Sequence, residues 1–140
     1  MVVREEGQKP AVDAEGRLFF VLSLPALNGL SDMEILVANP ENGPAQKVAR
    51  ISGSRLSKSV LMQPILSPDG KWLAVLLTDG PTTNIWAQPA AGGEMRRITD
   101  FGTQATFIGR RVSWSSGGHS IYAAVGKGEA DIVQLSNLKP

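Results

Sequence analysis

The chain repeats itself, and that limits its fold more than any other property. Three segments align over twelve positions. They are Pro10-Ala11-Val12-Asp13-Ala14-Glu15-Gly16-Arg17-Leu18-Phe19-Phe20-Val21, Pro64-Ile65-Leu66-Ser67-Pro68-Asp69-Gly70-Lys71-Trp72-Leu73-Ala74-Val75, and Val112-Ser113-Trp114-Ser115-Ser116-Gly117-Gly118-His119-Ser120-Ile121-Tyr122-Ala123. Their glycines, Gly16, Gly70 and Gly118, fall 54 and then 48 residues apart. A second column follows each segment: Glu34-Ile35-Leu36-Val37, Asn84-Ile85-Trp86-Ala87 and Asp131-Ile132-Val133-Gln134, with the isoleucines 50 and 47 residues apart. Two independent columns at a near-constant period describe one supersecondary unit used three times. Such a unit cannot bury its apolar surface alone and must stack on its neighbours.

The middle copy shows what the unit is. Residues 64–67 read as a short inner strand, and Pro68-Asp69-Gly70-Lys71 as a hairpin turn, since Asp-Gly tolerates the positive φ that tight hairpins need. Residues 72–78 form a near-continuous apolar run, the pattern of a strand buried on both faces. Asp79-Gly80-Pro81 breaks that run, residues 83–88 read as a third strand, 89–93 as a turn, and 95–99 as an outer strand with Arg96 and Arg97 at an exposed edge. No window keeps a 3.6-residue apolar stripe without Gly or Pro inside it, so a helical reading fails. A period of about 40–50 residues with several strands per unit is the mark of a β-propeller blade. The expected fold is therefore all-β: a partial β-propeller over residues 1–140, about three blades of four antiparallel strands, the third incomplete. Blade one spans about 8–58, blade two about 60–108 and blade three about 110–138.

Ser67-Pro68-Asp69-Gly70-Lys71, then Asn84-Ile85-Trp86, then Arg97-Ile98-Thr99, resembles the WD40-like propeller repeat called PD40. That repeat occurs in the C-terminal domain of TolB, in the propellers of prolyl-oligopeptidase-type serine peptidases, and in extracytoplasmic sensor-like domains of some bacterial kinases. The likeness covers roughly residues 8–138 and is strongest in the middle copy. Ala130-Asp131-Ile132-Val133-Gln134-Leu135 looks most like the kinase-linked group. The first copy carries Ala14-Glu15-Gly16 and the third Ser116-Gly117-Gly118 where the repeat has Pro-Asp-Gly; both keep the glycine. The resemblance implies a non-catalytic module for protein–protein interaction or sensing, periplasmic or extracytoplasmic. The alternative is the regulatory propeller of a prolyl-oligopeptidase-type peptidase, whose catalytic domain would lie outside this chain.

Propellers close with about 4–8 blades, so three do not make a ring. The expectation is a fragment, an oligomer, or a chain completed by a protein or peptide partner or by further blades of its own parent chain, because open blade faces and strand edges recruit other chains.

Composition narrows the function. Fourteen basic against thirteen acidic residues leave a net charge of +1, without the basic excess that neutralises nucleic-acid phosphates. With no Cys and one His, disulfides and thiolate metal sites are excluded and a zinc site is not expected. No apolar run approaches the ~18 residues of a membrane span, so no membrane insertion by this segment is expected. The opening residues, Met1-Val2-Val3-Arg4-Glu5-Glu6, lack the apolar core of a signal peptide.

No catalytic, metal or cofactor residues emerge. His119 follows a Gly-Gly turn in a column otherwise filled by Arg17 and Lys71, which reads as a solvated residue, and no Gly-x-Ser-x-Gly elbow is present. Gly126-Lys127-Gly128 lacks a phosphate-loop frame and reads as a turn. Asp69, Asp79, Asp100 and Asp131 lack calcium-loop spacing and read as turn formers. Arg96-Arg97 and Arg110-Arg111 are the dense basic pairs, read as edge guards. Trp72, Trp86 and Trp114 are expected in the packing between blades. Recognition is sought on loops carried by the scaffold. The stretches 25–32 and 101–109 are the ones the strand pattern leaves over, so Leu27, Asn28, Leu30, Phe101, Gln104 and Phe107 are the candidate interaction surface, with Phe107 equally suited to the core.

Overall fold

The computed structural model describes residues 8–25, 30–39, 43–56, 64–127 and 130–136. These form eleven strands and one short 3-10 turn, Gly53–Arg55. The strands are β1 (Gln8–Val12), β2 (Leu18–Leu24), β3 (Asp32–Ala38), β4 (Gln46–Ile51), β5 (Ile65–Leu66), β6 (Trp72–Asp79), β7 (Thr82–Pro89), β8 (Arg96–Arg97), β9 (Phe107–Trp114), β10 (Ser120–Gly126) and β11 (Ala130–Ser136). They assemble into three antiparallel meanders, β1-β2-β3-β4, β5-β6-β7-β8 and β9-β10-β11, and none of the sheets closes on itself. The third sheet has three strands among the described residues. β9 opens at Phe107, so residues 107–109 are strand and the link expected over 101–109 is shorter than its sequence suggests.

The first turn of every sheet uses one device. In the second sheet Ser67 N–H donates to Trp72 O (2.8 Å), Gly70 N–H to Ser67 O (2.9 Å), and Ser67 Oγ accepts from Trp72 N–H (3.0 Å). The third sheet repeats it, with Ser115 bonded to Ser120 and to Gly118 and its Oγ accepting from Ser120 N–H at 3.1 Å. In the first sheet Asp13 fills this position, and its Oδ1 accepts from Arg17 N–H (2.8 Å) and Glu15 N–H (3.0 Å). A side-chain oxygen that captures a nearby N–H is what makes Ser and Asp turn residues. The column Asp13, Ser67, Ser115 is thus as constant in role as the glycine column.

The first turn is also one residue shorter, because Asp13 N–H reaches Arg17 O, four positions on, and not the fifth. The consequence is a slip. Counted from the glycine, the residue opposite the repeat isoleucine is the fifth in the first sheet (Val21, opposite Ile35) but the sixth in the others (Leu76 opposite Ile85, Ala124 opposite Ile132). A slip of one exchanges the two faces of a strand. The aligned columns therefore do not superpose side chain for side chain in the first copy beyond Gly16.

β6 lies at the centre of the core. Leu73, Ala74, Val75, Leu76 and Leu77 are consecutive and all buried, so both faces of the strand are covered. On one side Leu73 lines a small apolar cavity with Phe19, Val21, Ile35 and Pro64. Toward the third sheet, Trp114 Nε1 donates to Ile65 O on β5 (3.0 Å). Gly80-Pro81 closes β6 onto β7. Gly80 has φ +61°, and Pro81 has its ring-fixed negative φ, the combination of a type II′ hairpin. Trp86 and Trp114 pack at the margin of the core, and Trp72 is half-buried at the start of β6.

The turns also stack. A Cβ added at Gly70 would lie 3.2 Å from Asp13 Cβ, and one at Gly118 would lie 3.8 Å from Pro68 Cδ, whereas one at Gly16 would meet nothing within 4 Å. Gly16 and Gly70 both have positive φ, 79° and 71°. Gly16→Ala is expected to cost the left-handed penalty alone, about 1–2 kcal/mol. Gly70→Ala is expected to cost measurably more, because the turn of the first sheet must also move; urea denaturation of the two variants checks the order.

The Asp13 carboxyl is raised by burial but lowered more by the backbone N–H and guanidinium of Arg17 and the N–H of Glu15, and the net shift is downward. Arg17 Nε sits 2.6 Å from Asp13 Oδ2. A carboxylate lowered in the folded state stabilises above its unfolded pKa and loses that contribution as pH falls through the folded value. The melting temperature should therefore drop between about pH 5 and pH 2, and Asp13→Asn should flatten that drop. Thermal melts over this range decide it.

Candidate functional site

Five connections gather at one end of the stacked sheets. The β2–β3 loop meets the 3-10 turn, where Gly53 N–H donates to Asp32 Oδ1 (3.0 Å) and a Cβ at Gly53 would come within 2.6 Å of Ser31 O. That turn leans on β6 and β7. Thr78 Oγ1 donates to Arg55 O (3.2 Å), Arg55 Nε lies 3.7 Å from Asp79 Oδ1, and the Arg55 guanidinium stacks 4.6 Å from the centre of the Trp86 ring. Next comes the β6–β7 turn, whose Pro81 O accepts from Thr106 N–H at 3.3 Å. Finally the Lys127 ammonium, after β10, lies 5.4 Å over the Phe101 ring. The contacts run without a gap from Leu30 and Ser31 across to Phe101 and Lys127.

The segment 98–106 is held from beneath by a buried polar network. Asn84 Oδ1 accepts from Thr99 Oγ1 (2.9 Å) and from Phe101 N–H (3.2 Å), while Thr99 Oγ1 accepts from Ile85 N–H (2.9 Å). Thr106 Oγ1 accepts from Thr83 N–H and donates to Thr83 O, both at 3.1 Å. Thr82 Oγ1 donates to Gln104 O (2.7 Å) and, more weakly, to Gly102 O (3.2 Å). Thr82, Thr83, Asn84, Thr99 and Thr106 are all buried, where an unpaired polar group is costly and a paired one fixes geometry. The loop is thereby presented by a rigid base, with Thr103, Gln104 and Ala105 facing water. Sequence reading missed this network; its visible trace is the polar run Thr82-Thr83-Asn84 inside a strand that is otherwise buried.

The expected surface residues divide accordingly. Leu30, Phe101 and Gln104 fall in the connected end, and Leu27 and Asn28 lie outside the described residues. Leu30 and Gln104 are exposed and Phe101 is half-buried beneath Lys127. Phe107 is not a loop residue: it starts β9 opposite Gly126 and is 48% exposed. With Tyr122, 41% exposed, it lies on the face of the third sheet that alternates with buried Ile121, Ala123 and Val125.

The repeat-turn residues Ser67, Pro68, Asp69, Gly70 and Lys71 sit at the opposite end. Asp69 Oδ1 accepts from Ser67 Oγ (2.6 Å) and Lys71 N–H (3.0 Å), and these bonds hold its carboxyl below the ordinary range. The carboxylate is occupied in forming the turn. His119 is exposed just beyond the corresponding turn of the third sheet. Arg96 and Arg97 are exposed on the outer strand β8, with Arg97 paired to Asp100 (3.0 Å); Arg110 and Arg111 fall within β9. Among the described residues no three His, Cys, Asp or Glu side chains gather to hold a metal ion, and no helix is long and apolar enough to cross a membrane.

No family model and no curated protein matches the chain. Among solved structures it is similar to TolB from Acinetobacter baumannii, with a TM-score of 0.59 and 17% identity over 94% of this chain. The chain spans 33% of the length of that structure. At this identity the likeness concerns the fold: an all-β, TolB-like arrangement that fits an arc of a propeller.

Thr99 is the hinge of the polar network. Thr99→Val is expected to cost about 1–3 kcal/mol by leaving the buried Ile85 N–H unpaired. It should also raise hydrogen exchange across 101–106 before it affects β6; denaturation and exchange measurements check both.

Proposed function

We propose that this chain is a non-catalytic arc of a β-propeller, its three sheets serving as blades, that works by presenting the loop-bearing end to a protein partner. The observation that carries the reading is the buried Thr82–Thr106 network. Four buried side chains, Thr82, Asn84, Thr99 and Thr106, together with the main chain of Thr83, hold in place the exposed loop 101–106, in which Phe101 packs against the apolar core. Loops on a rigid scaffold carry recognition more often than the scaffold does. The preorganised backbone lowers the ordering cost that binding would otherwise impose. The residues offered are apolar and amide-bearing, Leu30, Phe101 and Gln104, with Lys127 alongside, which suits a polypeptide surface better than a phosphate backbone. The similarity to TolB and the PD40-like turn motif support the propeller part of the reading.

The test is site-specific photo-crosslinking in cells that make the native protein. A photoreactive residue at position 104 is expected to give a discrete protein adduct, weakened by Phe101→Ala, and the same residue at position 71, at the opposite end, is expected to give none. No adduct at 104, or the same adduct from both positions, removes the proposal.

A further inference from the structure

Two cations at the loop-bearing end lie over aromatic rings and are not neutralised there. The Arg55 guanidinium sits 4.6 Å from the centre of the Trp86 ring, and the Lys127 ammonium 5.4 Å over the Phe101 ring. A ring face holds a cation in place but leaves its charge unpaired. Two other arginines are committed to carboxylates. Arg50 donates from Nε and Nη2 to Asp32 Oδ2 at 3.2 and 3.0 Å, and Arg97 donates to Asp100 Oδ2 at 3.0 Å. Arg55 has a long contact to Asp79, 3.7 Å, which is beyond hydrogen-bond reach. Lys127 takes part in none of the ion pairs among the described residues.

Trp86 supplies an independent observation. Its indole Nε1 is buried and has no hydrogen-bond partner, whereas that of Trp114 donates to Ile65 O at 3.0 Å. A buried donor without an acceptor is uncommon in a folded protein, because it has given up water and gained no bond. The guanidinium and the indole N–H beneath it are thus neighbouring donors short of an acceptor. A carboxylate has two oxygens, one for each. Asp79 does not fill this role: it stands too far from Arg55 and does not reach the indole at all.

We propose that the loop-bearing end binds an acidic stretch of polypeptide. One Asp or Glu carboxylate accepts from both the Arg55 guanidinium and the Trp86 indole N–H, and a second pairs with Lys127. Arg55 slides from the ring face to admit the first; its side chain is 35% exposed and its contact with Asp79 is weak, so little opposes the movement. The bonds formed are charge-assisted, the stronger kind. The two cations flank the exposed loop in the chain of contacts, Arg55 across the β6–β7 hairpin and Lys127 on Phe101. Two such points in a chain of net charge +1 suit a few carboxylates and not a phosphate backbone. The proposal rests on the reading of this end as the binding one and gives its partner a chemistry.

The probe is hexaglutamate, capped at both termini, titrated into the full chain at low salt. The readout is the set of three tryptophan indole N–H resonances, of which Trp86→Phe removes one and so assigns it. Hexaglutamate should move the Trp86 resonance and leave that of Trp114, whose bond to Ile65 reports that the chain is folded. Arg55→Gln and Lys127→Gln should each weaken binding about threefold or more, and Asp79→Asn should strengthen it. A Trp86 resonance that stays in place while that of Trp114 is native overturns the proposal. So does an equal response to hexalysine or to an oligothymidylate, or unchanged binding in the Arg55→Gln and Lys127→Gln variants. The titration needs no native partner: an adduct at position 104 without a response to hexaglutamate keeps the binding end and removes its acidic ligand.

Discussion

A strand with no polar face governs this molecule. Five consecutive buried residues on β6, Leu73 to Leu77, leave no side of it that can face water. A surface strand alternates; this one must lie between two layers. Fully burying a Leu or Val side chain is worth about 1.5–3 kcal/mol, so stripping either neighbouring sheet from β6 exposes several such side chains at once. The first and third sheets are thus held by a common core, and the Trp114–Ile65 hydrogen bond fixes how one of them sits. Rigidity at either end of the stack descends from this strand.

The turns convert that stacking into a repeating geometry. Each first turn is closed by its own backbone and by one side-chain oxygen, from Asp13, Ser67 or Ser115. Each turn after the first places its glycine against the turn before it, and a Cβ at Gly70 would press on Asp13 Cβ at 3.2 Å, closer than ordinary contact. The positive φ and the missing Cβ are separate requirements there, one set by the turn itself and the other by its neighbour. Gly16 meets only the first requirement, which is why equal letters in one column do not carry equal cost.

Much of the architecture was legible because local chemistry and the repeat agree. Asp69-Gly70 forms its hairpin, the apolar run after it is the doubly covered strand, and Arg96-Arg97 forms an exposed edge. What was not legible depends on partners distant in the chain. Nothing local says that Thr82, Thr83 and Asn84 will be buried, since their partners lie 15 to 23 residues further on. Phe107 suits a loop, a core or a strand, and only its pairing with Gly126 decides among them. The slip in the first copy was hidden because the glycine column aligns cleanly while the turn around it is shorter by one residue. Of the candidate surface, Leu30, Phe101 and Gln104 could be found by asking which stretches the strand pattern left over; the network that holds them could not.

The two ends of the stack are secured in different ways, and this bears on which end can acquire a binding role. Each repeat turn is closed on itself by bonds between residues at most five apart, and Lys71 O also accepts from Ala90 N–H; the turn bonds are formed by the residues that would have to change if specificity changed. Asp69 illustrates the bind: its carboxylate is already committed to Ser67 and Lys71. At the loop end the anchoring is done by Thr82, Thr83, Asn84, Thr99 and Thr106 from below, several of them through main-chain atoms of the loop. Gln104 contributes its carbonyl oxygen to Thr82, which leaves its side chain uninvolved in that bond. Outward side chains there can be exchanged without disturbing what holds the backbone. A surface whose support and whose display are carried by different atoms is the one on which recognition can change while the fold stays fixed.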